Sequence, residues 1–454
     1  MRISLDVPFT LAEIAHITSA KQRGKNAIIR ALTTDSRECE AGDLFIALRG
    51  EKDNGNAYLN DITVRGAYSL SSECEKASLS VSDAYKALLS IAKAYKEKCA
   101  PACTVAVTGS TGKTTVKEFI HKMLSTKLRV QSSRGNYNNN LGLSYTLLDT
   151  RLNTDVLVCE LGMNHENEIK ELSLALEPSF SVITNIGTAH IGMLGSREKI
   201  AKAKLEIECG MQGGSTVIWD DEPLLSEIKN PYRISERDKN ADMIFRVLSK
   251  SHNGCELYVK TKDKEFISHT SLFASHHLKD LSFGIAICEL LGFSVNEISF
   301  AVKSLTEELL RQKLLNIGKY SIYDDSYNSS GEAVIANLIM MEERFEKCSA
   351  LLGDMLELGE ESEGLHYSIG FEVARHNFKK LYAFGSFSRA MAAGARDGGM
   401  DKSNIFVNQN LTKPELTAKA IIESYDGETI LAKASHSVKI DRIFKLISIM
   451  EGVS

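Results

Sequence analysis

The most constraining stretch of this chain is an apolar, β-branched run that ends in a glycine-rich turn and opens into a helix: residues 103–115 read CTVAVTGSTGKTT. Such a turn lets successive backbone N–H groups close around phosphate oxygens, and the helix N-terminus adds partial positive charge. Lys113 is placed to neutralise β- and γ-phosphates, and the Thr114 hydroxyl to ligate Mg²⁺. Gly109, Ser110, Thr111, Gly112 and Thr115 complete the predicted loop. The strict pattern GxxxxGK[ST] asks for glycine at 107, where this chain has Val107. An ordinary turn that happens to contain Gly-Lys-Thr is the competing reading, and the strand-turn-helix setting favours a nucleoside triphosphate site.

The surrounding sequence repeats this grammar. DVLVCELG, SFSVITNIG and STVIWD are near-continuous apolar runs separated by helical segments, as expected of parallel strands covered on both faces. Functional side chains in such sheets gather at the carboxyl ends of strands. Glu160, directly after VLVC, is therefore a candidate Mg²⁺ ligand, since phosphate-bound Mg²⁺ takes only one or two protein carboxylates. A surface glutamate at a loop start is the alternative. His190 follows another strand, and alone it reads equally as a metal ligand or as a hydrogen-bonded surface histidine.

Two changes of texture divide the chain. Residues 82–98 place Tyr85, Leu88, Leu89, Ala92 and Tyr95 on one helical stripe and break at CAPAC. Around 305–320 a charged stretch predicted as helical, LTEELLRQKLL, leads into GKYSIYDDSYN, after which strands and helices alternate to the end. With 454 residues, at about 150 per domain, roughly three domains are expected. Their boundaries are drawn at 1–99, 100–312 and 313–454. The fold class is α/β: a central P-loop domain with a mainly parallel sheet, a C-terminal Rossmann-like domain and a smaller N-terminal α/β domain.

Composition removes several classes of function. Net charge is −5, from 54 basic and 59 acidic residues, which withholds the broad attraction that non-specific nucleic-acid binding needs. The nine cysteines are scattered without CxxC spacing, so idle thiols in a reducing compartment are expected. The N-terminal segment carries Asp6 and Glu13 where a signal peptide would be apolar, and no uncharged apolar run reaches about 18 residues. A soluble cytoplasmic protein without membrane insertion is predicted. No heptad seam suggests a coiled-coil dimer, and a monomer is expected.

TGSTGKTT, GNYNNNLG (135–142), CELGMNH (159–165), TNIGTAH (184–190) and AKAKLEI (201–207) together resemble the ATP-dependent Mur ligases of bacterial cell-wall synthesis. DSRECEAGDLFIALRG (35–50), YDDSYNS (323–329) and LLGDMLELGEESEGLH (351–366) are most similar to the branch whose substrates are UDP-N-acetylmuramoyl-tripeptide and D-alanyl-D-alanine. The resemblance implies an N-terminal domain for the uridine nucleotide, a central ATPase domain and a C-terminal domain that brings the dipeptide. It implies ATP and Mg²⁺ as cofactors, and amide formation through an acyl phosphate.

Residue by residue, the resemblance implies that Thr114 and Glu160 hold one Mg²⁺ and that His190 serves a second. Lys204 falls where several of these ligases carbamylate a lysine, although the sequence alone reads it as a solvated helix lysine. Catalysis would then rest on Lys113, Lys204 and His190. Ser36 and Arg37 match the uridine motif, and Asn138 and Asn139 the substrate loop, whose asparagines are also ordinary turn formers. Arg311, Asp325, Tyr327 and Asn328 fall in nucleotide-facing segments. Asp354 and Glu357 fall in the dipeptide-side signature. The chain departs from the family at Asp280, where an adenine-contacting asparagine is usual, and ionised Asp280 would only accept hydrogen bonds. It departs again at Lys433–His436, where KGSR is usual and His436 replaces the arginine, at Gly331 and at Ser144. A paralogous ligase with another acceptor, or a nucleotide-binding scaffold without catalysis, are the alternatives.

Overall fold

The computed structural model describes residues 1–51, 53–251, 254–309 and 312–453. Among the described residues three sheets follow one another along the chain, of six, nine and six strands. The first spans Arg2–Ser80 and is mixed, with Ile28–Thr33, Leu44–Ile46, Tyr68–Ser71 and Leu79–Ser80 running parallel. Among the described residues no helix is long and apolar enough to cross a membrane.

The helix Ala84–Cys99 joins the first sheet to the second. Asp83 caps its start by accepting from the N–H groups of Tyr85 and Lys86, and Leu88, Leu89, Ala92 and Tyr95 are buried as their spacing predicts. Tyr85 departs from that stripe: it is exposed, and its hydroxyl donates to the Arg49 carbonyl oxygen at 3.0 Å. The helix core merges with Leu143, Leu147 and Leu172 of the second unit. Buried Lys96 donates to the Leu176 carbonyl oxygen at 2.9 Å and to Glu177 at 3.0 Å, satisfying a helix C-terminus across that junction.

In the nine-stranded sheet, Cys103–Thr108 lies between Phe180–Ile183 and Val156–Glu160, all three parallel. Every residue of Cys103–Thr108 is buried. Val105 and Val107 enter one core with Phe119 and Ile120, whereas Ala106 faces the core shared with the N-terminal unit. Val107 thus stands where the strict P-loop pattern has glycine because that position is still interior strand, worth about 1.5–3 kcal/mol of burial. Beyond Met243–Ser251 the sheet continues through two antiparallel strands, Gly254–Thr261 and Glu265–Thr270.

The third sheet has Thr429–Lys433, Cys348–Gly353, Leu381–Phe384 and Ile405–Asn408 parallel, with helices between them as the alternation predicts. The stretch before it, expected to be helical, holds no α-helix among the described residues. It holds a short 3₁₀ turn, Glu307–Leu309, and then the strand Lys313–Ile317, which pairs antiparallel with Tyr320–Asp324. The apolar residues there suit a hairpin edge because Gly318, at φ +57°, closes a two-residue turn.

Candidate active site

Three adjacent strand ends deliver the site. After Thr108 the chain turns through Gly109 to Gly112 and enters the helix Lys113–Leu124. Gly109 has φ +150°, and a Cβ there would lie 1.8 Å from Thr184 Oγ1. Gly112 has φ +77°, and a Cβ would lie 2.8 Å from Asp280 Oδ1. Both glycines are therefore demanded by close approach as well as by backbone angle. The loop is tied to the neighbouring strand end: the Ser110 N–H donates to the Asn185 carbonyl oxygen at 3.0 Å, and Asn185 Nδ2 donates to Thr111 Oγ1 at 2.9 Å. Lys113 Nζ donates to the Gly109 carbonyl oxygen at 2.9 Å.

At the next strand end, buried Glu160 accepts from Thr114 Oγ1 at 2.7 Å through one oxygen and from Asn138 Nδ2 at 2.8 Å through the other. Asn139 does something different. It caps the helix Asn140–Leu148, accepting from the Gly142 N–H at 2.9 Å. The loop itself is anchored by fully buried Lys117, which donates to the Ser133 carbonyl oxygen at 2.6 Å and pairs with Glu118 at 2.9 Å. Sequence reading overlooked Lys117, because a lysine four residues after Lys113 looks like any solvated helix position.

His190 sits at φ +67°, outside the conformation most side chains adopt. Its Nδ1 lies 2.8 Å from Glu357 Oε2 without the alignment of a hydrogen bond, so a buried nitrogen is left unused. Burial, and then the charges of Lys113 and Lys204, pull its pKa down to about 4. The ring is neutral at pH 7. Lys204 is 2% exposed on the helix Arg197–Leu205, and burial followed by the Lys113 charge holds its ammonium well below the usual lysine range.

The C-terminal unit closes the space above. Thr188 N–H donates to Glu332 Oε1 at 2.7 Å, and the Gly192 N–H donates to the Glu357 carbonyl oxygen at 3.1 Å. Arg344 grips Glu307 with two bonds of 2.8 and 2.9 Å. Between the units lies a cleft of about 580 Å³ lined by the P-loop residues Ser110–Thr115, Asn138, Glu160, His190, Asp280, Asp325 and Asn328. Glu332, Lys433 and His436 line it too, the first without any signal in the sequence.

Asp280 departs from its expected chemistry. Burial pushes its carboxyl well above the usual carboxylate range, against a smaller opposing effect of Lys279, which favours the protonated form, the one that can donate as well as accept. Asp325 is held by Lys433 Nζ, which also donates to the Asn328 carbonyl oxygen at 2.9 Å, and by Asn337 Nδ2 at 2.6 Å. Lys433 and Asp325 side chains are 3% and 11% exposed. Lys433→Met should leave that carboxylate without its cation and cost about 3–5 kcal/mol, read as an earlier urea transition. Combining it with Asp325→Asn should recover part of the loss. An unchanged single-variant transition would show the pair to be inert.

Other sequence-predicted residues lie elsewhere. Both oxygens of Asp354 accept from backbone N–H groups, Ser386 at 2.8 Å and Phe387 at 3.0 Å, and the residue is 2% exposed and does not line the cleft. Arg37 is exposed and paired with Asp35 at 2.6 Å in the N-terminal unit, with Ser36 beside it. Neither lines the cleft. Arg311 lies outside the described residues.

A Mg²⁺ ion fits the donor set at Thr114 and Glu160. A hydroxyl and a carboxylate stand side by side at the mouth of a phosphate loop, which is the sparse oxygen set this ion takes alongside phosphate and water. Among the described residues no group of three or more His, Cys, Asp or Glu forms an all-protein cage.

Residues 107–288 match the family model of the Mur ligase middle domain. The chain is 31% identical over 450 residues to the UDP-N-acetylmuramoyl-tripeptide–D-alanyl-D-alanine ligase of Bacillus subtilis, covering 96% of each. Its fold is similar to that of MurF from Acinetobacter baumannii, with TM-score 0.86 and 23% identity over 98% of this chain and 99% of that one. It is also similar to MurF ligase from Thermotoga maritima in complex with ADP, with TM-score 0.81 and 24% identity over 93% and 98%.

Proposed function

The chain belongs to the Mur ligase family, and on that premise we propose that it uses ATP to join D-alanyl-D-alanine to UDP-N-acetylmuramoyl-tripeptide in peptidoglycan precursor synthesis. The observation that carries this reading is the single cleft in which a phosphate loop of the central unit faces the SYN and GDMLELG segments of the C-terminal unit. An activated carboxylate and an incoming amine have to meet in such a place.

In the reaction, an oxygen of the tripeptide's terminal carboxylate attacks the γ-phosphorus. The bond to the bridging β–γ oxygen breaks and ADP leaves. The dipeptide amine then attacks the acyl carbon, its surplus proton is lost, and the C–O bond to phosphate breaks. Lys113 and the loop N–H groups hold the phosphates while charge spreads over the transferring group. Thr114 and Glu160 would hold Mg²⁺, with His190 offering a neutral nitrogen toward a second ion. Bound there, the metal supplies charge neutralisation between two anions. Asn138 orients Glu160, and Asp280, against the phosphate-loop glycine Gly112, lies on the nucleotide side of the cleft. The seam between Thr188–Gly192 and Glu332–Gly359 keeps water from the acyl phosphate.

Lys204 is read as the carbamylated lysine. Its neutral amine adds to CO₂, giving a carbamate anion and a proton, and the neighbouring Lys113 charge turns from a repulsion into an attraction. Ser36 and Arg37 are assigned to the uridine nucleotide and act in the N-terminal unit, apart from the phosphate loop.

ADP release measured with UDP-N-acetylmuramoyl-tripeptide and a panel of acceptors tests the reading. D-alanyl-D-alanine should stimulate release well above single amino acids and depsipeptides. Stimulation by another amine and none by D-alanyl-D-alanine would assign the enzyme a different acceptor.

A further inference from the structure

A second cleft, of about 620 Å³, lies at the far edge of the third sheet and shares no residue with the ligation cleft. Its floor is Ala392, Ile405 and Val407, and its rim carries Arg389, Arg396 and Lys402. The spacing explains the shape. Arg389, Ala392 and Arg396 recur at three and four residues along the helix Ser388–Asp397, so they share one face. Ile405 and Val407 alternate along the strand Ile405–Asn408 and share one face of the sheet.

That strand is the last in its sheet. Among the described residues it pairs with Leu381–Phe384 on one side only, no strand lies along its other edge, and Val407 is 45% exposed. Arg389, Arg396 and Lys402 are exposed, and no ion pair or hydrogen bond of their side chains is seen among the described residues. The two carboxylates adjacent in sequence keep their charge but turn to neutral donors and form no ion pair with these cations among the described residues: Asp397 accepts from Tyr367 Oη at 2.7 Å, and Asp401 accepts from the Ser403 N–H at 2.8 Å.

An unpaired strand edge offers N–H and C=O groups to another backbone, and three unpaired cations select its charge. A second copy of this edge would bring six cations together and is disfavoured. A nucleic acid cannot add a strand. We propose that this cleft is a docking site for an extended acidic segment of a partner protein, which pairs with Ile405–Asn408 and sets its carboxylates on Arg389, Arg396 and Lys402.

The test uses the full chain and fluorescence anisotropy of a labelled peptide that alternates valine with glutamate. Binding should saturate, and should weaken at least about 10-fold for a peptide of equal charge that alternates proline with glutamate and cannot pair. The double variant Arg389→Glu, Arg396→Glu should also weaken binding by about 10-fold, with ligase turnover and melting temperature unchanged. Equal binding of the two peptides would overturn strand addition. So would displacement by inorganic pyrophosphate with the proline peptide bound as well as the valine one, which would mark a site for small anions. Binding undiminished in the double variant would remove the cleft from consideration.

Discussion

Lys113→Ala is expected to lower kcat by about 10²–10³-fold, the loss that follows removal of one oriented charge from a developing anion. The ammonium now lies over carbonyl oxygens of its own loop, Gly109 at 2.9 Å and Ser110 at 3.3 Å. A phosphate arriving in the turn offers it full negative charge, and such charge-assisted bonds are roughly twice as strong as neutral ones. Because charge on the transferring phosphoryl group rises toward the transition state, the loss falls on kcat more than on KM. Lys113→Arg should restore little. The wider guanidinium has to fit a turn in which Gly112 already lies against Asp280. Lys127→Ala serves as control, since that lysine lies beyond the far end of the helix and pairs with Glu297 at 2.9 Å. Turnover of Lys113→Ala within a few-fold of the parent would place the phosphates elsewhere.

What the sequence made legible was whatever repeats with a period or depends on a backbone turn. The run from Cys103 to Thr115 announced strand, loop and helix because β-branched residues, glycines and a helix start occur there in order. The alternation after residue 348 did the same for the third sheet. The stretch 305–315 misled because its leucines and glutamates suit a helix locally, while a glycine turn at 318 recruits Lys313–Ile317 into a hairpin. Side-chain destinations were less accessible. Asp354 and Asn139 are polar residues in motif positions, yet both are spent on backbone N–H groups, a use that depends on where Ser386 and Gly142 arrive in space. Asp280 reads as an anion in a sequence, and only the burial that tertiary packing imposes raises its carboxyl above the usual range. Glu332 reaches Thr188 across the seam between two units, and no local pattern encodes that distance.

Lys204 is the sharpest of these cases and carries the second large prediction. The segment REKIAKAKL looks like a solvated helix, but Ile200, Ala201, Ala203 and Lys204 are its buried residues. Burying an ammonium without a paired anion is costly, and that cost favours the neutral amine. Lys113 adds to that pressure. The free amine is the species that combines with CO₂, and the lowered pKa favours it, so turnover in carefully degassed, bicarbonate-free buffer should fall and should recover on adding bicarbonate. Lys204→Met keeps the length and burial of the side chain while abolishing carbamate formation, and should cost about 10–100-fold in kcat, the range for losing a group that supports a bound metal. In that variant the dependence on bicarbonate should vanish, and small carboxylates such as acetate should restore part of the rate. A purely structural lysine predicts the reverse: near-normal turnover in Lys204→Met and indifference to bicarbonate in the parent. The two large predictions are also coupled. Removing the Lys113 charge raises the Lys204 pKa, leaves less free amine at a given pH, and should move the bicarbonate activation profile of Lys113→Ala to higher pH.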